Sequence, residues 1–307
     1  MNYTLHQLMV FSIIAKTQSI TKAAEELNLT QPAVSIQLKN FQDQFELPLT
    51  ELIGRKLFIT DFGKEIAAAA NTILEEVNAI NYKTQAYKGL LSGKLKIAVV
   101  STGIYVMPFF LEGFMQVHPE IELSLDVTNK AKVLESLENN VIDFAMVSVL
   151  PEDMAIENIQ LLQNKLYLIS NTTQKFQSKK YPLSILEKMP LIFREQGSGT
   201  RLSIESFFEK KQLHIKQKLE LTSNEAVKQA VLAGLGSAIM PLIGIKNELL
   251  NGSLQVIPLV HFPIITNWQL IWLKGKKHSA IGKALLQYID QEKEKIVKKY
   301  FNWYEQF

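Results

Sequence analysis

The stretch SITKAAEELNLTQPAVSIQLKNFQDQFEL, residues 19–47, has the apolar spacing of two short helices separated by a polar turn. Ser19 is a suitable N-cap for the first helix, in which small residues such as Ala23 allow another helix to cross closely. Pro32, near the start of the second helix, fits a first turn, where a missing N–H costs nothing. The pattern predicts two crossing helices over about residues 20–39.

The second of these helices has an unusual outer face. At about 100° per residue, its buried side is predicted to hold Val34, Leu38, Phe41 and Phe45. The opposite side centres on Ile36 and is otherwise mostly polar and uncharged. A solvated face normally carries more charge, although single exposed apolar residues are common. The alternative is a surface for DNA base edges, where isoleucine can touch a thymine methyl group and amide or hydroxyl side chains can hydrogen-bond.

Length, composition and charge narrow the class of protein. The 307 residues are too many for one small domain and suit two or three. No cysteine is present, which excludes disulfide frameworks, thiolate metal sites and cysteine nucleophiles. The apolar run at residues 8–15 lacks a preceding basic segment and a cleavage site. Since no run approaches the ~20 apolar residues that span a bilayer, we expect a cytoplasmic protein without a membrane partner.

Three zones follow one another along the chain. Residues 1–60 contain short helical patterns, and residues 61–91 form one long helical run. Apolar residues recur along that run at three- and four-residue steps, which favours packing against a helix of another copy or of the same chain. From residue 94 onward, β-rich segments alternate with helical ones and predict an α/β domain. The recurring apolar residues of the long run are Phe62, Ile66, Ala69, Ile73, Val77 and Ile80.

The α/β domain is predicted to have two lobes, the first over about residues 94–160 and 268–307 and the second over about residues 161–267. In the first lobe, small polar residues follow the strands directly, at points where helices should begin. Each could be a simple helix cap. Because ligands bind at the carboxyl ends of parallel strands, they are also candidates for a binding site. These residues are Ser101, Thr102, Thr128, Asn129 and Ser148.

In the second lobe, FREQGSGTR, residues 193–201, lies between a predicted strand and a predicted helix. Its glycines permit a tight turn, and the following helix offers free N–H groups. Two of the chain's three arginines, Arg194 and Arg201, flank this loop, which indicates a need for a rigid forked donor. Arg201 would contact an anionic ligand or pair with a carboxylate such as Glu195 or Glu205. The candidate ligand-binding residues here are Gly197, Ser198, Gly199, Thr200, Arg201, Ser223 and Asn224.

The segment AAEELNLTQPAVSIQLKNFQDQFELPL closely resembles the helix-turn-helix of the LysR-type transcriptional regulators, and the resemblance continues along essentially the whole chain. It implies an α+β protein with an N-terminal winged helix-turn-helix, residues 1–60, and a linker and dimerisation helix, residues 61–91. Residues 94–307 would form a two-lobed α/β effector domain resembling periplasmic solute-binding proteins. The implied function is sequence-specific DNA-binding transcription regulation, modulated by a small, anionic metabolite bound between the lobes.

The resemblance also implies roles for residues of the N-terminal domain. Residues 31–45 would form the recognition helix, and LIGRKLFIT, residues 52–60, would form the wing. Residues 1–60 carry five basic and five acidic side chains, so DNA affinity must come from local placement and from several copies acting together. The candidate DNA-contacting residues are Lys22, Gln31, Pro32, Ala33, Ser35, Ile36, Lys39, Asn40, Arg55 and Lys56.

The partners that the resemblance implies are double-stranded promoter DNA, a homodimer through residues 61–91 that pairs into a homotetramer, and RNA polymerase if the protein is an activator. VSTGIYVMP, REQGSGTR and SNEAVKQAVLAGLG resemble the regulators of carbon-fixation operons within the family, whose effectors include phosphorylated sugars and reduced nicotinamide nucleotides. No cofactor is expected besides a small-molecule effector of unknown identity.

Two other classes of protein share parts of this pattern. A solute-binding protein of a transporter would have the C-terminal fold, but it would need a signal peptide and has no use for residues 1–91. An enzyme would need a catalytic constellation, and the five histidines are scattered without the spacing of metal ligands or of a triad. We therefore predict a protein without catalytic residues and without a metal site.

Overall fold

The computed structural model describes residues 3–54, 56–86, 91–173, 175–176, 178–215 and 217–306, and for residues 75, 78, 79 and 81–86 it describes the backbone alone. The chain divides into two compact units, Met1–Leu90 and Leu91–Phe307. Each unit encloses hydrophobic core residues of its own.

The first unit contains three short helices, a β-hairpin and one long helix. Its elements are α1 Leu5–Thr17, α2 Ile20–Leu27, α3 Gln31–Gln42, β1 Thr50–Ile53, β2 Lys56–Ile59 and α4 Asp61–Ala86. Ser19 caps α2 by accepting the backbone N–H of Lys22, whereas Thr30 precedes α3 without a side-chain cap. The two strands pair antiparallel, as a hairpin requires. Hence a helix-turn-helix and a two-stranded wing follow one another along the chain.

The second helix of the helix-turn-helix is shorter than the sequence predicts. α3 ends at Gln42, and Phe45 lies in the turn that follows. The ring of Phe45 still packs against Phe41 of the helix, with 5.1 Å between the ring centroids. Phe41 also contacts Phe11 of α1, at 5.2 Å. These aromatic contacts hold the buried face of α3 against α1, so its opposite face points outward.

The apolar stripe of α4 divides between two environments. Phe62 and Ile66 pack against the core of their own unit, together with the buried Ala70. Further along the helix, Ile73 and Ile80 are 41% and 60% exposed. The early part of the stripe therefore packs within the chain, and the later part is the part available to another helix.

The second unit is an α/β domain with a nine-stranded mixed sheet. Its strands are β3 Gly93–Val100, β4 Ile121–Thr128, β5 Phe144–Val147, β6 Ile156–Asn171, β7 Leu191–Arg194, β8 Gln217–Leu221, β9 Ser237–Pro241, β10 Leu254–Val256 and β11 Ile264–Leu273. Its helices are α5 Met107–Val117, α6 Lys130–Glu138, α7 Gly199–Lys210, α8 Asn224–Leu232, α9 Lys246–Leu250 and α10 Ala280–Phe301.

The sheet order, β4-β3-β5-β11-β6-β9-β7-β8, places one parallel group at each end. β3 pairs in parallel with β4 and β5, and β7 pairs in parallel with β8 and β9. Between the groups, β6 and β11 pair antiparallel along the whole of β11. The parallel groups and their helices form lobe I and lobe II, and the β6–β11 pair connects them.

The packing of the two lobes follows from their sequence patterns. In lobe I, β5 is an apolar run that is buried at every position, as expected for a strand covered on both faces. In lobe II, Phe193, Ile204 and Phe208 join strand β7 to helix α7 in a separate apolar cluster. The mixed α/β, two-lobed architecture predicted from the sequence is confirmed. Within the described residues, no helix is both long and apolar enough to cross a bilayer.

Candidate functional site

Helix α3 presents one face to the core and the other to solvent. Val34, Leu38 and Phe41 are buried, whereas Ile36 is 58% exposed. A β-branched apolar side chain exposed at the centre of a polar face suits contact with a base edge better than it suits water. The predicted DNA-contacting residues of this helix that are also exposed are Gln31, Pro32, Ser35, Lys39 and Asn40, and Ala33 is partly buried.

Basic side chains flank this helix in sequence on both sides. Lys22 is exposed in the first turn of α2, and Lys56 is exposed at the start of β2. Gly54, with a φ of +66°, occupies the tight turn between the strands of the wing, where an L-residue would be strained. The predicted phosphate contact Arg55 lies outside the described residues. The described basic residues provide charge for phosphate contacts without making the unit basic as a whole.

The second unit contains a small cavity where the carboxyl ends of strands from both lobes meet. β3, β4 and β5 of lobe I end there, and the turn after β7 of lobe II faces them. Three elements begin at its edge: α6, α7 and the 3-10 turn at residues 101–105. Since helix starts leave backbone N–H groups without internal partners, the cavity is a favourable place for an anion.

The cavity brings together seven of the residues predicted from the sequence. Of these, the hydroxyl residues Thr102, Ser198 and Thr200 are 2%, 2% and 6% exposed, so their hydroxyls are withdrawn from bulk water. The seven are Ser101, Thr102, Asn129, Ser148, Ser198, Gly199 and Thr200. Three further lining residues, Val100, Lys130 and Arg194, are absent from the predicted set.

Arg194, at the end of β7, is 4% exposed and links the lobes. Its Nε and Nη2 donate to the two carboxylate oxygens of Glu195, at 2.8 and 2.9 Å, which is a forked contact. Its Nη1 donates to the Oγ of Ser101 in lobe I, at 3.1 Å. The guanidinium charge is therefore balanced by Glu195, and its remaining arm connects lobe II to lobe I.

Lys130 opens helix α6 and is 9% exposed. Its Nζ donates to the carbonyl oxygen of Leu150 at 3.5 Å, which is a long contact for a charged donor. Burial lowers the pKa of Lys130 below the ordinary lysine value, and the charge of Glu152 opposes this shift. A lysine in a first helical turn also stands at the positive end of the helix dipole. The position of Lys130 in the first turn can be read from the sequence, because this lysine directly follows the candidate helix cap Asn129.

The predicted site residue Arg201 does not line the cavity. Its side chain points away from the cavity and donates to Glu205 at 2.6 Å and to Glu220 at 2.5 Å. It also donates to the carbonyl oxygen of Arg194 at 2.9 Å. The hydrogen bond with Glu205 is the main cause that raises the pKa of Arg201, and burial opposes it. Of the two roles that the sequence leaves open for Arg201, the structure supports pairing with carboxylates. Its contact with the backbone of Arg194 supports a residue that lines the cavity.

Four other predicted residues also lie off the cavity lining. Ser223 accepts the backbone N–H of Ala226 at 3.0 Å and so acts as the cap of α8. Asn224 donates to the Oγ of Ser101 at 3.1 Å, which adds a second contact from lobe II to this hydroxyl. Gly197 has a φ of +82° and makes the turn before α7, while Thr128 is half-buried at the end of β4. These residues shape the site without lining it.

The chemistry of this cavity is that of binding rather than catalysis. Hydroxyls, helix starts and two cations converge, and these groups suit a small polar or anionic molecule. Within the described part of the chain, no group of three or more histidine, aspartate or glutamate residues could hold a metal ion. A helix-turn-helix unit joined to a ligand-binding α/β unit defines a ligand-responsive DNA-binding protein.

Comparison with protein families places the chain within one such class. Residues 5–64 match the family of bacterial regulatory helix-turn-helix proteins of the LysR type, and residues 88–294 match the LysR substrate-binding domain. The second match alone covers more than half of the chain. The protein belongs to the LysR family of transcriptional regulators, and it is not an enzyme.

Relatives with assigned functions agree along nearly the whole length. The chain is 38% identical to the HTH-type transcriptional activator CmpR of a Synechocystis species, over 96% of this chain and 97% of that protein. It is 36% identical to a RuBisCO operon transcriptional regulator of Acidithiobacillus ferrooxidans, over 93% of each. These similarities confirm the resemblance to regulators of carbon-fixation operons.

Solved structures agree with the fold of each unit. The regulatory domain of CcmR from Synechocystis, solved in complex with 2-PG, matches with a TM-score of 0.62 and 34% identity, over 64% of this chain and 96% of that one. Full-length CbnR, solved with its target DNA, matches with a TM-score of 0.69 and 21% identity, over 94% of this chain and 99% of that one. At 21% identity, the second likeness concerns the fold.

Proposed function

We propose that this regulator responds to a small metabolite with acidic groups, of the chemical type of 2-phosphoglycolate, held in the cavity between the lobes. The observation that carries the proposal is the convergence of two buried cations, Lys130 and Arg194, with buried hydroxyls and the start of α7. A site of this composition stabilises negative charge and leaves little apolar surface for a hydrocarbon ligand. The 2-PG complex of the CcmR regulatory domain, at 34% identity, supports this choice of ligand.

The DNA partner in this proposal is double-stranded promoter DNA, read by the exposed face of α3. Ile36 and Ser35 would meet base edges, and Lys22, Lys39 and Lys56 would contact phosphates, with Arg55 in the same role. Because residues 1–60 carry equal numbers of acidic and basic side chains, one copy has weak electrostatic attraction for DNA. A homodimer through residues 61–91, and a homotetramer built from two dimers, would supply the missing affinity through multivalency.

The regulatory step is a change in the angle between the lobes when the metabolite binds, transmitted to the DNA-binding units. If the protein is an activator, RNA polymerase is a further partner. Since a regulator of this class acts on promoter DNA, it works in the cytoplasm.

The decisive experiment is footprinting of the full-length protein on the region upstream of its own gene, with and without 2-phosphoglycolate. We expect a protected, interrupted palindrome whose extent or bending changes with the metabolite. Protection that stays the same across a series of acidic metabolites, together with no calorimetric binding of any of them, would contradict an anionic effector. Absence of any specific protection there would direct the search to other promoters of the same genome.

A further inference from the structure

The two cations that line the cavity differ in how their charge is balanced. Arg194 is held in a forked ion pair by Glu195, whose side chain is 14% exposed. This pair satisfies the edge of the guanidinium formed by Nε and Nη2, and Ser101 accepts from the third nitrogen, Nη1. An incoming anion would have to displace an existing carboxylate to reach the same nitrogens. Arg194 is therefore poorly placed to be the main electrostatic anchor of a ligand.

Lys130 is in the opposite situation. The residue as a whole is 9% exposed, and the contact that the structure gives its ammonium is the long one to the neutral carbonyl group of Leu150. Among the described residues, no carboxylate forms an ion pair with it, and Glu152 acts on it as a more distant charge. A buried ammonium without an acidic partner is costly, and it stands at the unfavourable end of its own helix. A negatively charged group in the cavity removes both penalties.

Other residues that line the cavity together with Lys130 supply further hydrogen-bond donors for a negatively charged ligand group. Helix α7 of lobe II begins at Gly199, and its N-cap residue Ser198 makes no side-chain capping hydrogen bond. The first backbone N–H groups of α7 are therefore without a side-chain cap beside the cavity. The buried hydroxyls of Thr102 and Thr200 add donors from each lobe. An acidic oxygen between the lobes would meet an ammonium on one side and a helix start on the other.

We propose that Lys130 is the residue that selects an acidic effector, by placing its ammonium against a carboxylate or phosphate oxygen, while Arg194 holds the lobes together through Ser101. The proposal rests on the proposed function, because it takes the cavity between the lobes as the effector site. It assigns recognition of the negative charge of the ligand to Lys130 of lobe I, whereas the sequence pattern points to Arg201 of lobe II.

The test is calorimetric titration of the full-length protein and of Lys130→Met with 2-phosphoglycolate. Methionine keeps the length of the buried stem and removes the charge. We expect Lys130→Met to lose roughly 10- to 100-fold in affinity, the range for removing a charged hydrogen bond. The matched control is Lys132→Met, which makes the same change at an exposed position of the same helix and should leave the affinity unchanged. Parallel titrations with inorganic phosphate and with glycolate show which acidic group the lysine contacts.

The outcomes separate the two proposals. Equal affinity of Lys130→Met and the unsubstituted protein would overturn the role of Lys130 and leave the anionic effector standing. No binding of the three probes by the unsubstituted protein would overturn both. A melting temperature of Lys130→Met at or above that of the unsubstituted protein shows that lost affinity is not lost folding. If Lys130→Met unfolds, Lys130→Gln is titrated in its place, and the same affinity criterion applies.

Discussion

The Oγ of Ser101, in lobe I, lies 3.1 Å from the Nη1 of Arg194, in lobe II, and accepts its hydrogen bond. The same oxygen accepts a second hydrogen bond across the lobes, from Asn224 at 3.1 Å. One hydroxyl at the edge of the candidate effector site thus joins the two halves of the domain. A ligand that touches Ser101 acts directly on the contact between the lobes.

Ser101→Ala should destabilise the domain, because it leaves a buried guanidinium nitrogen and a buried amide without their acceptor. We expect the free energy of unfolding to fall by about 1–3 kcal/mol. Denaturant unfolding of the full-length protein measures this loss. Ser124→Ala, at an exposed position of β4 in the same lobe, is the matched control and should change stability little. Equal stability of both variants would show that the contact contributes nothing to folding.

Ile36→Ala should weaken specific operator binding while leaving the fold intact, because the side chain is exposed and contributes little to the core. The expected loss is about 1 kcal/mol, concentrated at one base pair of each half-site. Titration of operators altered at each position measures it. Leu5→Ala, an exposed leucine of α1, serves as the control. An unchanged sequence preference in Ile36→Ala would exclude direct contact with a base.

Ile73→Glu should prevent association through α4, because a carboxylate would be buried at a helix–helix contact without a partner. Analytical ultracentrifugation should show a smaller particle, with a fall in operator affinity well beyond that of a single phosphate contact. Thr72→Glu adds the same charge at the neighbouring exposed position. If Ile73→Glu sediments like the unsubstituted protein, the association surface lies elsewhere.

Arg201→Ala should lower stability without changing the affinity for the effector, because its guanidinium pairs with Glu205 and Glu220 behind the cavity. Both carboxylates are about half exposed and recover solvation when the arginine is removed, so the expected cost is about 1–2 kcal/mol. Arg201→Lys should restore part of it, since an ammonium keeps the charge and loses the fork. Calorimetry with 2-phosphoglycolate beside thermal unfolding checks both points. If Arg201→Ala loses affinity for 2-phosphoglycolate and keeps its stability, Arg201 contacts the ligand.

Lys130 gives a prediction for the pH dependence of stability. Burial lowers the pKa of Lys130 in the folded protein below 10.5, and Glu152 opposes the shift. Between the lowered and the ordinary pKa the unfolded chain binds more protons, so this group makes stability rise with pH in that window. Lys130→Met lacks this dependence and avoids burying a charge, so at neutral pH it should be more stable than the unsubstituted protein. This difference in stability should shrink as the pH approaches 10.5. Denaturant unfolding from neutral to alkaline pH measures it, and a constant difference would contradict a shifted lysine.

The sequence predicts the order of elements because apolar periodicity and caps are local features. Ser19, Asn129 and Ser223 each cap the helix expected after them. The direction of a long side chain is not local. Arg194 and Arg201 flank the same loop, and only the packing of α7 on lobe II decides which of them faces the cavity. The sequence pattern points to Arg201, whereas the structure places Arg194 in the cavity lining.

The long helix shows a second limit of the sequence. Phe62, Ile66 and Ile73 belong to one stripe of three- and four-residue steps, which indicates one buried face but not the identity of its partner. In the structure, Phe62 and Ile66 pack against α1 and its neighbours, while Ile73 is exposed. Lys130 does carry a signal in the sequence, since a lysine directly after a helix cap opposes the helix dipole.

The pair of strands that connects the lobes limits how they can move. β6 and β11 stay hydrogen-bonded from Ile156 to Leu166 and from Ile264 to Leu273, with one irregular step between Trp268 and Gln269. A hinge made of paired strands bends and twists as an elastic ribbon, whereas a hinge made of loops would swing freely. Under the proposed change of angle between the lobes, the effector signal would be a small torsion of one continuous sheet, with its largest displacement at the outer strands β4 and β8, farthest from the ribbon.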